Sequence, residues 1–205
     1  MENIIKIKNL NISFNKNQRV LKNINLDIFK GKTTAIVGES GSGKTLSALS
    51  ILKLLPSSAE ITKGEIFYKD TNILSLTDNQ IQKIRGNKIA TIFQEPMTSL
   101  NPLHTINKQI EEIIITHNKV SKKEVKNKTT ELLKEVGLQD IAKRPKVYPY
   151  ELSGGQRQRA MIAMSIANNP DLLIADEPTT ALDVTIQMQI LNLLSNLQKK
   201  LGMTL

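Results

Sequence analysis

Eight consecutive residues, GESGSGKT from Gly38 to Thr45, have the types and spacing of a loop that binds phosphate. Glycines allow backbone N–H groups to turn inward around phosphate oxygens, and a helix that begins directly after them adds its positive end. Lys44 would reach the β- and γ-phosphates, and the Thr45 hydroxyl would ligate Mg²⁺. A flexible Gly/Ser turn would not explain the strand pattern before the loop and the helix pattern after it. The sequence therefore predicts a nucleotide site.

Two carboxylates and an amide stand at the ends of apolar runs elsewhere in the chain. Asp176 and Glu177 follow the run LLIA, so they should lie at the C-terminal end of a strand, where α/β sheets bind ligands. Asp176 suits Mg²⁺, bound directly or through water, and Glu177 could orient or deprotonate an attacking water. Gln94 follows another apolar run and could contact the same ion or water. The plainer alternatives are a solvated acidic pair and an exposed loop glutamine.

A second glycine-containing segment, LSGGQ from Leu152 to Gln156, raises the question why one chain should have two anion sites. Ser153, Gly154 and Gly155 precede a helical pattern that runs from about Gln156 to Asn168, so the Ser153 hydroxyl can cap a helix whose N-terminus attracts anions. A phosphate-binding loop wraps the α- and β-phosphates of its own nucleotide and leaves the outer face of the γ-phosphate open. Donors placed on that face would neutralise charge in the transition state.

The composition bounds the class of protein. With 205 residues and 40% hydrophobic content, the chain suits one domain with a lobe inserted in it. There is no Cys, which excludes disulfides and thiolate metal sites. The N-terminus lacks the apolar stretch of a signal peptide, and no run approaches the ~18 residues of a membrane span, so we expect a soluble chain. The net charge of +9 comes from dispersed lysines, and we expect no nucleic-acid partner.

The elements that must position these residues follow a strand–loop–helix order. Two β stretches with alternating polarity come first, and the run TTAIVG predicts a buried strand that enters the Gly38–Thr45 loop. A helix follows the loop and is expected to stop at Pro56. GEIFYKD and LLIADEP are predicted strands, the region from about Ser75 to Asn168 is predicted to be mostly helical, and an amphipathic helix begins near Val184. This order predicts an α/β fold with a parallel sheet.

Taken together, the motifs resemble the ATP-binding subunit of ABC transporters over essentially the whole chain. Gly38–Thr45, Gln94, LSGGQ, LLIADEP and ALD at Ala181–Asp183 stand in the family's order. The resemblance implies a P-loop NTPase core with a parallel sheet, an N-terminal antiparallel β subdomain and an inserted α-helical subdomain. It implies one domain over residues 1–205, incomplete at its C-terminus, with the β subdomain and P-loop core in 1–74, a mostly helical lobe in 75–168, and a core strand and helix in 169–205.

The resemblance also implies ATP and Mg²⁺ and assigns the residues that bind them. The expected catalytic residues are Glu177, Gln94 and Lys44, and the expected Mg²⁺ ligands are Thr45, Gln94 and Asp176. In the family two domains bind head to tail, and the signature LSGGQ of one closes over the ATP of the other. Asp183 would belong to the loop that links the two sites, or would simply cap the next helix. The expected nucleotide-binding residues are Phe14 (stacked on adenine, or a core residue), Thr33, Gly38, Ser40, Gly41, Ser42, Gly43, Lys44 and Thr45, and the signature residues are Leu152, Ser153, Gly154, Gly155 and Gln156.

Longer segments resemble the dipeptide, oligopeptide and nickel importer branch of the family. IRGNKIATIFQEPMTSLNPLHTI is closest to subunits that serve peptide and microcin-type peptide uptake. This implies an ATPase that powers peptide import from the cytoplasmic face of a bacterial-type inner membrane. The expected partners are a second ATPase domain, as a homo- or heterodimer, the membrane permease through Glu95–Pro102, and indirectly an extracytoplasmic peptide-binding protein.

The chain stops at LGMTL, before the strand and the switch His that the family carries there. We therefore expect an incomplete domain whose ATP hydrolysis could be impaired. His104 and His117 lie in the predicted helical lobe and are not expected to replace the switch His. Two alternatives stay open at this point: a soluble ABC ATPase that acts on DNA or ribosomes, and a nucleotide-binding fragment without turnover.

Overall fold

A computed structural model describes residues 2–15, 18–93, 99–180 and 182–205. The chain divides into two compact units: unit 1 is Met1–Arg85 together with Met203–Leu205, and unit 2 is Gly86–Gly202. Each unit has its own sheet and its own buried side chains, so the two are described separately.

Unit 1 is built on a four-stranded antiparallel sheet with the strand order β2-β1-β3-β4. Along β1 the inward side chains include Ile5, Ile7, Leu10 and Ile12, each at most 1% exposed. The two-residue period slips between Ile7 and Leu10, and the register with the neighbouring strands shifts at the same place. The strands are β1 (Asn3–Phe14), β2 (Gln18–Phe29), β3 (Ala59–Tyr68) and β4 (Thr71–Asn72).

Asparagine residues accommodate this change of register between β1 and β2. Asn9 and Asn23 both have left-handed backbones, with φ of 49° and 52°, which Asn tolerates better than most residues. The Asn9 N–H donates to the Asn25 side-chain oxygen at 3.0 Å, and the Asn23 N–H donates to the Asn11 side-chain oxygen at 3.2 Å. These bonds replace ladder bonds that the bulges remove, so the alternating pattern continues into the core.

Helix α1 (Lys44–Ile51) ends before the predicted stop at Pro56. Lys53 takes a left-handed backbone with φ of 52°, and the Leu54 N–H reaches back to the Leu49 carbonyl at 3.0 Å. This is the Schellman closure of a helix, reached here without glycine. The remaining elements of unit 1 are a 3-10 turn, Ile73–Ser75, and α2 (Asp78–Gln82).

The prediction of a buried strand over Thr33–Gly38 is wrong, because this segment has no regular secondary structure. The Thr34 N–H donates to the Leu205 carbonyl at 2.8 Å, and one further backbone bond returns from Leu205. Two bonds at one edge do not make a ladder, and the apolar side chains are not covered: Ile36 is 48% and Val37 93% exposed. An apolar run predicts a buried strand only where neighbouring strands pair with both of its edges.

Unit 2 contains a parallel pair of strands, β5 (Ile89–Ile92) and β6 (Leu172–Ala175). The register joins Ile89 to Leu172 and continues to the ends of both strands. Both strands are apolar, as is typical of parallel strands with covered faces. The pair confirms the predicted strands before Gln94 and before the two carboxylates.

The helices of unit 2 are arranged around the helix Gly154–Ile166, which contacts β5 and the helices Ile106–His117, Lys122–Glu135 and Val184–Leu201. Its alanines and isoleucines are fully buried, among them Ala160, Ile162 and Ile166 at 0% exposure. None of the helices in the described ranges is long and apolar enough to cross a bilayer. The helices are α3 (Ile106–His117), α4 (Lys122–Glu135), α5 (Gln139–Ala142), α6 (Gly154–Ile166) and α7 (Val184–Leu201), with a 3-10 turn at Pro149–Glu151.

Candidate nucleotide-binding site

The loop Gly38–Thr45 runs directly into α1, as the spacing predicts. Gly43 occupies the N-cap position with φ of 92° and ψ of 13°, a left-handed conformation. A Cβ on Gly43 would collide with the Leu21 side chain, and a Cβ on Gly38 would lie 2.8 Å from the Ser42 hydroxyl. Glycine is therefore favoured at Gly43 by both conformation and space, whereas Gly38, whose φ is not in the left-handed region, is restricted only by the nearby Ser42 side chain.

Lys44 folds back over the loop that precedes it. Its Nζ donates to the Gly38 carbonyl at 2.9 Å and to the Glu39 carbonyl at 3.0 Å. Both acceptors are neutral, so phosphate oxygens would be stronger partners for the ammonium group. The lysine is thus placed beside the loop whose N–H groups would face an anion.

The donor set fits a nucleoside triphosphate with its metal ion. The first turn of α1 has no side-chain cap among the described residues, and its second residue is an exposed threonine, Thr45. A helix start of this kind presents backbone donors and a positive dipole end to an anion. Hydroxyl oxygen is also a suitable ligand for Mg²⁺.

Two further residues of unit 1, Phe14 and Thr33, are predicted contacts of the nucleotide. Phe14 is half-buried at the end of β1, where it pairs with Gln18 and Ala59. Thr33 is exposed in the irregular segment before the loop. The partial burial of Phe14 is compatible with both roles considered for it, a core residue and a stacking residue.

The carboxylates follow β6 in unit 2, as predicted. The Asp176 N–H donates to the Ile92 carbonyl at 3.0 Å, which extends the parallel ladder one residue past the strand. The next residue, Glu177, has a left-handed backbone with φ of 46°. A left-handed backbone is uncommon for a glutamate and such strain concentrates at functional sites. The chain therefore turns at Glu177 and leaves the direction of β6 directly after Asp176.

A threonine that the sequence interpretation missed holds Glu177 in this turn. The Thr180 hydroxyl is 3.0 Å from the Glu177 carbonyl oxygen and 3.2 Å from its carboxylate Oε2. The Gln187 side-chain amide then ties the following loop down by donating to the carbonyls of Thr179 and Leu182, each at 3.1 Å. Proline favours turns and threonine hydroxyls bond to nearby backbone in them, so the run Pro178–Thr180 directly after Glu177 is the signal that could have identified Thr180.

The signature segment forms a capped helix start. The Ser153 hydroxyl accepts from the Gln156 N–H at 3.3 Å, and the Gln156 side chain accepts from the Ser153 N–H at 3.0 Å, which completes a capping box. Leu152 is 6% exposed and anchors the segment in unit 2, while Ser153 and Gly154 are exposed. The helix begins at Gly154, slightly earlier than predicted.

The signature lies against the start of α7. A Cβ on Gly155 would lie 3.1 Å from the Ile186 side chain, and a Cβ on Gly154 would lie 3.6 Å from Leu182. Asp183 caps α7, with its carboxylate accepting from the Ile186 N–H at 3.0 Å, which confirms the N-cap reading. The structure therefore brings the signature and Asp183 together within unit 2.

Part of the predicted site lies outside the described residues. Gln94 does, and so does the beginning of the Glu95–Pro102 segment. The described end of the Glu95–Pro102 segment is held in place by Gln109, a residue that is 5% exposed. Its side-chain amide accepts from the Asn101 N–H at 2.9 Å and donates to the His104 carbonyl at 2.9 Å, a contact that the sequence interpretation missed.

An apolar cavity of about 270 Å³ lies in unit 2, next to this segment. Phe93 and Ser99, the described residues directly before and after residues 94–98, both line it, together with Met161 and Met164 of α6. His117 also lines the cavity, whereas His104 lies 3.6 Å from Glu112 on the exposed side of α3. Neither histidine lies in the loop, carboxylate or signature segments.

The family model of the ABC transporter matches residues 21–180, a span that includes the loop, the signature and both carboxylates. The chain belongs to the ABC transporter family. Among curated relatives, it is 49% identical to the peptidoglycan transport ATP-binding protein YejF of Agrobacterium fabrum, over 98% of this chain and 38% of that protein. It is 45% identical to the dipeptide transport ATP-binding protein DppD of Lactococcus lactis, over 98% of this chain and 59% of the relative. The chain thus spans from about a third to three fifths of the length of these relatives.

Solved structures agree with this assignment. A dimeric, post-hydrolysis state of the ATP-binding cassette MJ0796 bound to ADP and Pi matches with a TM-score of 0.83 and 34% identity, over 98% of this chain and 85% of that chain. The structure of cbiO1 from Clostridium perfringens, part of the ABC transporter complex cbiONQ, matches with a TM-score of 0.84 and 26% identity, over 100% of this chain and 77% of that chain. These matches confirm the predicted ABC ATPase fold, with its antiparallel sheet, parallel strands and helical segment.

Proposed function

We propose that this chain binds and hydrolyses ATP to power the import of peptides by an ABC transporter in the cytoplasmic membrane. The observation that carries the proposal is the pair of glycine-containing helix starts, Gly38–Thr45 with its folded-back Lys44, and Leu152–Gln156 with its capping box. The peptide cargo is supported by the names of relatives, which include dipeptide and oligopeptide transport ATP-binding proteins.

The catalytic roles follow from the chemistry of the side chains. The N–H groups of the loop and the Lys44 ammonium would hold the β- and γ-phosphates. Thr45, Gln94 and Asp176 would hold Mg²⁺, which supplies positive charge to the phosphate oxygens when it is bound. Glu177 would accept a proton from water as the water oxygen bonds to the γ-phosphorus and ADP leaves. The bonds from Thr180 would keep the Glu177 carboxylate oriented for that transfer.

The signature would complete the site of a second subunit. Ser153, Gly154 and Gly155 would donate to the outer face of a γ-phosphate held by the partner's loop, and Asp183 would transmit changes between the two sites. Two cassettes of this fold form a dimer in the solved structures of MJ0796, which supports the arrangement. The same proposal includes Phe14 and Thr33 as contacts of the nucleotide.

The membrane permease would dock on Glu95–Pro102. The apolar cavity that Phe93 and Ser99 line offers a surface for an amphipathic helix of the permease beside that segment. Through the permease the chain would lie at the cytoplasmic face of the membrane and respond indirectly to a peptide-binding protein outside. The division into 1–74, 75–168 and 169–205 and the dependence of turnover on a switch His belong to this proposal.

Substitution of Glu177 tests the proposal in the assembled, full-length transporter. We expect Glu177→Gln to lower ATP hydrolysis by at least about 100-fold while ATP binding is retained, because the amide cannot accept the proton. Glu131→Gln removes an equally exposed carboxylate of unit 2 and should leave both quantities unchanged. Hydrolysis by Glu177→Gln at the wild-type rate would contradict the assigned role.

A further inference from the structure

Four exposed lysines lie between α3 and α4 and in the first turns of α4: Lys119, Lys122, Lys123 and Lys126. We refer to these four residues as the lysine tip. Within the described ranges, none of them forms an ion pair or a hydrogen bond through its side chain, unlike Lys108 on α3, which lies 3.8 Å from Glu112. Four positive charges are thus presented together to solvent.

On α4 the three lysines of the tip lie apart from the carboxylates of the helix. The buried stripe of the helix consists of Val125, Thr129, Leu132 and Leu133. With a turn of about 100° per residue, Lys122, in the first turn, lies in line with this stripe, and Lys126 and Lys123 follow on one side of it within an arc of about 100°. On the same count, the carboxylates at positions 124 and 131 lie about 80° or more away from each of these lysines, and neither stands three or four residues from any of them.

The acidic residue nearest in sequence is already used to begin the helix. The Glu124 carboxylate accepts from the Ser121 N–H at 2.8 Å, and the Ser121 hydroxyl accepts from the Glu124 N–H at 3.3 Å. The hydrogen bonds from the side chain and backbone of Ser121 lower the pKa of Glu124. This carboxylate is therefore held at the helix N-terminus by Ser121, and its single negative charge offsets at most one of the four lysine charges.

Aliphatic side chains are exposed among these charges. Val120 lies between Lys119 and Lys122 and is 41% exposed, and Ile115 in the last turns of α3 is 55% exposed. Lysines around exposed aliphatic side chains are typical of surfaces that bind the interface of an anionic membrane. Single-stranded nucleic acids are bound by stacking on aromatic side chains, and the sequence from Ile106 to Glu135 contains no Phe, Tyr or Trp.

We propose that the lysine tip, together with Val120, docks on a bilayer surface of anionic phospholipids. The ammonium groups would lie among lipid phosphates and Val120 would enter the headgroup region. This contact goes beyond the proposed ATPase function, because it needs neither nucleotide nor permease. It would be reversible and weakened by salt, since surface charges are screened over about 10 Å at 0.1 M ionic strength.

Vesicle co-sedimentation with the full chain tests the charge requirement. Vesicles of phosphatidylglycerol and phosphatidylcholine are compared with vesicles of phosphatidylcholine alone, at low and high salt. We expect at least about tenfold stronger binding to the anionic vesicles, and about a tenfold loss when all four tip lysines are changed to Gln. The control variant Lys22→Gln, Lys63→Gln, Lys143→Gln, Lys146→Gln removes four other exposed lysines, has the same net charge, and should stay within about twofold of wild type.

A single tryptophan tests the contact of Val120, because the chain has no other Trp. The emission of Val120→Trp should shift to the blue on anionic vesicles, whereas Phe29→Trp, at a position of similar exposure (37%), should not shift. The proposal is overturned if anionic vesicles are not preferred, if the control variant loses as much binding, or if Val120→Trp does not respond. Tip-dependent binding of single-stranded RNA without vesicle binding would overturn it as well. ATP binding by the tip variant is measured in parallel, so that failure here is distinguished from failure of the ATPase proposal.

Discussion

The two glycine-containing helix starts of this chain are held in different ways. At α1, Gly43 has a left-handed backbone and no described side chain caps the first turn. At α6, Ser153 has an extended backbone, and its side chain and that of Gln156 form a reciprocal cap. The first start depends on backbone shape that only glycine provides, and the second is stabilised by its own side chains.

This difference indicates a division of labour between the two segments. A loop whose shape depends on glycine and whose lysine bonds to neutral carbonyls gains most when a phosphate binds. A helix that is already capped folds without a ligand, and the N–H groups at its first positions can then serve a phosphate presented by another molecule. Substitutions in the first segment should therefore impair binding in a single chain, and those in the second should impair assembly.

The largest effect is expected for Lys44→Ala. Loss of a charge-assisted contact to phosphate should weaken ATP binding by about 100-fold, whereas the free energy of unfolding should change by less than about 0.5 kcal/mol, because the present partners of Lys44 are exposed loop carbonyls. Titration with a fluorescent ATP analogue and urea unfolding measure the two quantities. Lys63→Ala is the matched control. If Lys44→Ala bound ATP as tightly as wild type, the proposed difference between the two helix starts would be contradicted.

Substitution by alanine should lower the free energy of unfolding much more at Gly43 than at Gly154. Gly43→Ala must accommodate a left-handed backbone and a collision with Leu21, which together cost about 2 kcal/mol or more. Gly154→Ala meets Leu182 at an ordinary 3.6 Å and should cost less than about 0.5 kcal/mol. Urea unfolding of both variants decides the matter: equal destabilisation would show that Gly43 is not under the constraint described.

A modest change in stability is expected at Ser153, and here the assembly of dimers is the more informative measurement. Ser153→Ala removes a cap and should cost about 1 kcal/mol, whereas Ser153→Asp keeps a cap and should cost less. Because an aspartate would repel the γ-phosphate, Ser153→Asp should abolish ATP-dependent dimers of the full-length protein while each chain still binds ATP. Dimers of Ser153→Asp at the wild-type level, measured by light scattering, would contradict the role of the signature.

Local sequence signals predicted much of this site, and long-range partners explain where they failed. Ser153 and Asp183 were predictable as caps because a cap depends on the few residues that follow it. The absence of a strand over Thr33–Gly38 was not predictable in this way, because a strand depends on partners that are distant in the chain. The left-handed backbone of Glu177 also depends on its surroundings.

Residues that fix loops through side-chain bonds were the hardest to predict. Gln109 holds Asn101 and His104 from within α3, and Gln187 holds the loop after the carboxylates from within α7. A glutamine on a helix is ordinarily an exposed residue, and nothing in its neighbours along the chain identifies the carbonyl it bonds to. Burial gives Gln109 its role, and burial is a property of the folded chain.

Crosslinking between two full-length chains tests the central claim most directly, because the sequence up to Leu205 contains no cysteine to interfere. One preparation carries Ser40→Cys and the other Gly154→Cys, both in the Glu177→Gln background, and they are mixed with a short bifunctional thiol reagent. The account predicts a covalent heterodimer that forms with ATP and Mg²⁺ and is absent without nucleotide, while Lys63→Cys in place of Ser40→Cys gives none. If both cysteines react with a monofunctional thiol reagent but ATP never joins the two chains, the two helix starts do not share a nucleotide and the account is contradicted.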